Sequence, residues 1–299
     1  MGRYALGLAV ASAALTAGCA TVLPAAGPRP APAVATASPA TPAAGPSTTA
    51  PTPAGPPAAA ATPAGPPPAA GAPDGTVESV PVVSMPPAFP IPEFAPLPIP
   101  EAIPLTADVT PFLHRIPTTQ PVAFLTIDDG YTKTAVAPQI LGAAHVPVTL
   151  FLTGDAVKEN PEYFRPMRSA GAVIEDHTIT HPELRGRSYG YQRHQICDSA
   201  DYLATTYGRR PVLFRPPFGD ADATTLRAAH DCGMRAVFGW TETVDKGIVR
   251  YQTPDHHVRA GDIILMHFRP AFEADFLAAL NAIHRSGLSP ARLDDYLQM

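Results

Sequence analysis

Proline is spread so unevenly along this chain that it decides how much of it can fold. Of 39 prolines in 299 residues, 25 fall between Ala20 and Pro104, beside only five charged residues, Arg29, Asp74, Glu78, Glu93 and Glu101. Proline fixes φ and lacks an N–H, so it is excluded from the interiors of helices and sheets. A segment this poor in large apolar side chains cannot bury enough surface to offset its ordering entropy. The expectation is a disordered Pro/Ala-rich spacer over 20–104 and one folded domain over 105–299. All ten histidines lie in that domain, whose 19 Lys and Arg against 22 Asp and Glu leave a charge of −3 and no basic run. Such a balance argues against a protein that grips nucleic-acid phosphates. No apolar run has the length of a bilayer crossing, which argues against a multispan membrane protein.

The spacer has two textures. Residues 20–74 are Pro, Ala, Gly and Thr, a polyproline-like stretch reaching on the order of 100 Å at ~3.1 Å per residue. Val77 to Pro104 is dotted with Val, Phe, Ile and Leu, and is expected to pack along the domain as an extended strap. Ahead of both, Arg3 precedes a short apolar run, Tyr4 to Ala17, laid out like an export signal over 1–19. It ends in Leu15-Thr16-Ala17-Gly18-Cys19, which resembles a bacterial lipobox with Thr16 where Leu is usual. The expectation is a lipid anchor on Cys19 and a membrane lipoprotein facing the cell wall, the alternative being a secreted protein. In an oxidising compartment Cys197 and Cys232, in candidate helices with 34 residues between them, pair or remain two buried thiols.

From Pro121 onward, strand-like runs alternate with helical patterns. The strands read as Val122–Asp128, Val148–Thr153, Ala172–His177, Val212–Arg215, Arg235–Trp240 and Asp262–His267. Helical spacing joins Ile196, Ala200, Leu203 and Tyr207, then Asp222 through Gly233, then Glu273 to Arg285. This alternation implies parallel strands in an α/β barrel or open sheet. Asp128, Asp129, His177, Arg215 and His267 all fall at carboxyl ends of these strands. In a barrel those ends share one face, and core packing gives no reason to put charge there. His177 and His181, four apart, would point at one ion from a helical turn. A carboxylate from another strand end, such as Asp129, completes a set suited to a divalent transition metal. Asp128 and Asp129 can then diverge, one to a metal and one to a proton.

Four motifs, Thr126-Ile127-Asp128-Asp129-Gly130, His177-Thr178-Ile179-Thr180-His181, Arg215-Pro216-Pro217-Phe218-Gly219 and Leu265-Met266-His267, occur in this order. Together they resemble the polysaccharide deacetylase family, carbohydrate esterase family four. The resemblance covers Pro117 to Gly287 and implies a distorted (β/α) barrel of that type. Carried over by position, it implies Asp129, His177 and His181 as ligands of one divalent ion, zinc above others. Asp128 becomes the general base, Arg215 its orienting partner, and His267 the general acid for the departing amine. The Phe218 N–H would hold the oxyanion, with Leu265 and Trp240 lining the acetyl pocket and sugar groove. The family's usual aspartates after the motif Trp are displaced here, leaving Asp245, or Glu242, to tune His267.

The resemblance thus implies a metal-dependent hydrolase removing acetyl groups from N-acetylated sugars of a cell-surface polysaccharide, peptidoglycan N-acetylglucosamine or a chitin-like oligomer. Alternatives are an O-acetyl esterase of xylan type and a non-catalytic glycan-binding lipoprotein. No protein partner is implied. Phosphate-binding glycine motifs for nucleotides do not occur.

Overall fold

The computed structural model describes residues 89–105 and 110–298. The export signal, Cys19 and most of the spacer lie outside these residues.

Ten strands form one sheet. They are β1 (Phe112–Leu113), β2 (Val122–Asp129), β3 (Thr149–Leu152), β4 (Val173–Asp176), β5 (Leu213–Phe214), β6 (Ala236–Phe238), β7 (Glu242–Asp245), β8 (Ile248–Tyr251), β9 (Ile263–His267) and β10 (Ser289–Ala291). The sheet order is β1-β6-β5-β4-β3-β2-β9-β7-β8, with β10 beside β2. Every pairing is parallel except the β7–β8 hairpin. Among the described residues six α-helices accompany it: α1 (Val136–Ala144), α2 (Gly154–Glu159), α3 (Arg165–Ser169), α4 (Tyr189–Tyr207), α5 (Ala223–Asp231) and α6 (Phe272–Arg285).

β2 reads Val-Ala-Phe-Leu-Thr-Ile-Asp-Asp and is buried on both faces up to its last residue, as a central parallel strand demands. β6 and β7 lie near opposite ends of the sheet order, yet only Gly239, Trp240 and Thr241 separate them in sequence. The four Cα steps from Phe238 to Glu242 span about 14 Å at most. The two ends are therefore drawn together, and the sheet curls into the expected distorted barrel.

All six strands read from the sequence are present, each within two residues of its expected ends. So are the three helices. Asp222 caps α5 as half of a reciprocal pair: its Oδ1 accepts the Thr225 N–H at 2.8 Å, while its own N–H donates to the Thr225 hydroxyl at 3.1 Å.

The strap is present from Phe89 on, and residue 105 is not the edge of the folded part. Phe89, Ile91 and Phe94 pack on the main core, and Ile103 and Leu105 on a second cluster. The Ser289 hydroxyl donates to the Ala95 carbonyl at 2.8 Å, and Ile103 exchanges backbone bonds with Tyr296 and Gln298 at 3.0 Å each. Apolar side chains among the prolines make the difference: they give this part of the proline-rich region something to bury.

Cys197 in α4 and Cys232 at the end of α5 are joined as a disulfide, Cα to Cα 5.0 Å. Closing that loop limits the unfolded chain. Replacing both cysteines by serine is therefore expected to cost about 3–4 kcal/mol, read as a lower urea midpoint with a somewhat steeper slope as the unfolded chain is freed to expand. An unchanged midpoint would mean the bond contributes nothing in solution.

Candidate active site

Strand register gathers the chemistry. Asp128 stands opposite His267 on β9 and Phe151 on β3, Asp129 opposite Leu152, and Asp176, the residue before His177, opposite Phe214, the residue before Arg215. The ionisable side chains therefore emerge at one level, on the face where a parallel barrel builds its site.

The two adjacent aspartates do diverge. Asp129 has φ +78°, a left-handed conformation that Asp tolerates better than most residues. The turn sends its carboxylate toward the histidines while Asp128 stays buried.

His177 and His181 also converge, but not through a helix. The segment between them is irregular, with Thr178 at φ +70° and His181 at φ +56°. Local polar contacts hold this shape. The Thr178 hydroxyl accepts the His181 N–H at 3.1 Å, Gln195 Oε1 accepts the N–H groups of Ile179 and Thr180 at 3.1 Å each, and the Ser199 hydroxyl donates to the Thr178 carbonyl at 3.0 Å. The spacing indicated the right residues by the wrong local geometry, because side-chain acceptors from α4 replace the helical bonds.

Asp129 Oδ1 lies 3.5 Å from His177 Nε2 and 3.4 Å from His181 Nε2. It is buried and accepts no hydrogen bond in good geometry. His177 Nδ1 sits 2.7 Å from the Arg215 carbonyl, so it carries the proton and leaves the Nε2 lone pair facing Asp129. One carboxylate oxygen and two imidazole nitrogens, all within 4.8 Å of one another, fit a divalent transition metal with positions left for other ligands. The titration of these groups reflects their crowding. Burial would raise the Asp129 pKa, but His177 first, then His267 and His181, hold it below the usual value. Burial would lower His177, yet Asp128 and Asp129 outweigh it and raise it. Burial, and then His177, lower His181.

Arg215 is fully buried behind Asp128. Its Nη1 donates to Asp128 Oδ1 at 2.8 Å and to the Thr126 hydroxyl at 2.7 Å, and Nη2 donates to the Gly239 carbonyl at 3.0 Å. The guanidinium lies 4.4 Å from the Phe151 ring centre. Burial lowers its pKa, with Asp128 opposing. Thr126, Phe151 and Gly239 were given no role in the sequence reading. Thr126 left one signal, a polar residue inside an otherwise apolar central strand.

Phe218, φ +63° and 65% exposed, sets its ring edge-on against His181 at 4.8 Å. The turn's backbone bonds run from Gly219 to Pro216 and from Asp220 to Pro217, leaving the Phe218 N–H outside them. Next to it, Gly219 at φ +67° meets Trp240 so closely that a Cβ would lie 2.6 Å from the ring. Only glycine permits both that conformation and that approach. Trp240, Leu265, Phe218 and His267 line the same cavity of about 420 Å³ as Asp128, Asp129, His177 and His181.

Asp245 reaches this cavity too, but it does not attend His267. Its Oδ1 accepts from Arg269 Nη1 at 3.0 Å, and its Oδ2 lies 4.0 Å from Arg250. Glu242 is buried at the start of β7 and accepts the Thr241 hydroxyl at 2.7 Å. Burial first, and then neighbouring Asp262, push its pKa up to about 8. Among the described residues no carboxylate lies within ion-pair distance of His267, whose pKa burial lowers against the pull of Asp128 and Asp129. The expected tuning residue is therefore missing at both candidate positions, since one is paired with arginine and the other sits near the opposite end of its strand.

Comparisons with known proteins agree with this architecture. The family model for polysaccharide deacetylase matches residues 115–237, a span that holds Asp128, Asp129, His177, His181, Arg215 and Phe218. An uncharacterised protein of Streptomyces coelicolor is 38% identical over 194 residues, 62% of this chain and 77% of that protein. A peptidoglycan-N-acetylglucosamine deacetylase of Bacillus cereus is 30% identical over 153 residues, 49% of this chain and 55% of the relative's length. The fold is shared with a family pseudoenzyme from Bacillus anthracis, at TM-score 0.56 and 20% identity over 62% of this chain and 69% of that one. With the four motifs gathered at one barrel mouth, these matches show that the chain belongs to the polysaccharide deacetylase family.

Proposed function

We propose that this chain is a metal-dependent hydrolase that removes acetyl groups from N-acetylated sugars of a cell-surface polysaccharide, with peptidoglycan N-acetylglucosamine as its substrate. The observation that carries the reading is the intact set: a three-donor metal site, a buried Asp128–Arg215 pair and His267 in register beside Asp128. A pure binding protein has no use for all three. The name of the Bacillus cereus relative supports the substrate.

On this reading Asp129, His177 and His181 hold the ion, zinc on the character of the donors. When bound, that ion supplies Lewis acidity toward the acetyl oxygen and the attacking water. The chain's own residues do the rest. Asp128, oriented by Arg215, takes a proton from the water whose oxygen attacks the acetyl carbon. The Phe218 N–H donates to the oxyanion that forms. His267 delivers a proton to the nitrogen as the C–N bond breaks, and acetate and the free amine leave.

One observation favours a second reading. Burial lowers the His267 pKa and among the described residues no carboxylate lies within ion-pair distance of it, while an ester leaving group needs less help from an acid than an amide does. O-deacetylation of a xylan-type polymer is that reading. Residues 1–19 support export with a lipid on Cys19, which would tether the domain beside the cell wall.

The test is acetate release by the purified, zinc-loaded chain from N-acetylglucosamine oligomers, peptidoglycan and acetylated xylan. Faster release from the N-acetylated substrates is the expected result. Release from xylan alone would transfer the assignment to the ester. No release from any of them would leave the glycan-binding lipoprotein.

A further inference from the structure

The wall of the cavity beyond His267 carries charge that the hydrolytic machinery does not use. Arg269, two residues past His267, lines the cavity with Asp245, and its Nη1 donates to Asp245 Oδ1 at 3.0 Å. Arg250 of β8 approaches the other oxygen of the same carboxylate at 4.0 Å. Two guanidinium groups thus share one carboxylate at the cavity wall, and behind them Asp275 of α6 is buried with its Oδ1 accepting the Gly247 N–H at 2.7 Å. Both arginines are about half exposed, at 45% and 55%, so neither is sealed off from a ligand.

Position adds to this. Asp245 fixes one end of the Arg269 fork, and the remaining N–H groups stay available to a planar anion. Only Phe268 separates Arg269 from His267 in sequence, and both side chains line the same cavity. His267 marks where the amine departs in the reading above. An anionic group held by Arg269 would therefore sit within about one sugar of the acetamide being cleaved.

We propose that Arg269, with Arg250 and steered by Asp245, forms a carboxylate-binding subsite, and that the preferred glycan carries carboxylates next to its N-acetylated sugar. This rests on the deacetylase reading for its placement but not for its test. The carboxylate can belong to the reacting sugar or to its neighbour, and both present the same planar anion. A neutral chitin-like oligomer offers nothing to this wall.

The experiment measures binding by titration calorimetry on the full chain, zinc-loaded and carrying Asp128→Asn so that strands are not consumed. The probes are peptide-free peptidoglycan strands, the same strands with carboxyls converted to methyl esters, and neutral N-acetylglucosamine oligomers. The free-acid strands should bind about tenfold more tightly than the esterified ones, and the gap should shrink as salt rises. Adding Arg269→Gln should close most of that gap, and adding Asp245→Asn should widen it. Opposite responses from the two partners of one ion pair are not produced by general damage to the fold. Equal binding of acid and ester strands, or a gap that Arg269→Gln leaves intact, would overturn the subsite. Failure of the deacetylase reading looks different: no acetate from any substrate with the wild-type chain, while the acid-over-ester binding gap persists.

Discussion

Asp128→Asn is expected to lower turnover by about 10²–10⁴-fold, the range that general-base catalysis contributes, while leaving the metal content unchanged. The substitution keeps the shape and an oxygen that can accept from Arg215, but removes the group that can take a proton. The three metal donors lie outside the change. Asp128 Oδ2 lies 3.8 Å from His177 Nε2 and is not itself one of the three donors. Initial-rate assays of acetate release beside metal analysis would check both halves. Wild-type turnover in the variant would remove Asp128 from the mechanism.

Arg215→Met should be costly for stability as well as activity. Asp128 is 2% exposed, and Arg215 is the guanidinium that hydrogen-bonds it, with His177 Nε2 farther off at 3.8 Å. Removing one member of a buried ion pair leaves the other without compensation, at about 3–5 kcal/mol. The Thr126 hydroxyl and the Gly239 carbonyl lose their guanidinium partner at the same time. Arg215→Lys should rescue little. A single ammonium cannot reach Thr126, Asp128 and Gly239 from one flat group stacked on Phe151. Urea denaturation read by circular dichroism gives the answer, and a loss under about 1 kcal/mol would contradict the account.

How much of this was legible in the sequence depends on the range of the interaction involved. The central strands were, because a parallel strand buried on both faces writes itself as a nearly continuous apolar run, as β2 does but for Thr126. The site residues were, because Asp128, Asp129, His177, Arg215 and His267 punctuate the ends of such runs. The β7–β8 hairpin was not. Its strands are four residues each, with alternating burial on β7, and they are defined by pairing with β9 and each other. The fate of Asp245 depended on it: Arg250 lies across the hairpin and Arg269 beyond β9, partners that no local spacing announces. Gln195 was hidden for the same reason. On α4 it reads as an ordinary polar helix residue, and only the left-handed turn at Thr178 gives its side chain two N–H groups to accept. The strap was half legible, since the same prolines that argue for a spacer also suit the extended path of Phe89 to Leu105.

On the proposed reading, Asp129, His177 and His181 hold an ion on which hydrolysis of an N-acetylated glycan depends. The most direct measurement is acetate release from N-acetylglucosamine oligomers by the full chain after chelator treatment, followed by titration with zinc. Activity should be lost on chelation, recover to saturation at one zinc per chain, and fail to recover when His181 is replaced by alanine. Full activity in the metal-free protein, or recovery undiminished by His181→Ala, would contradict that reading.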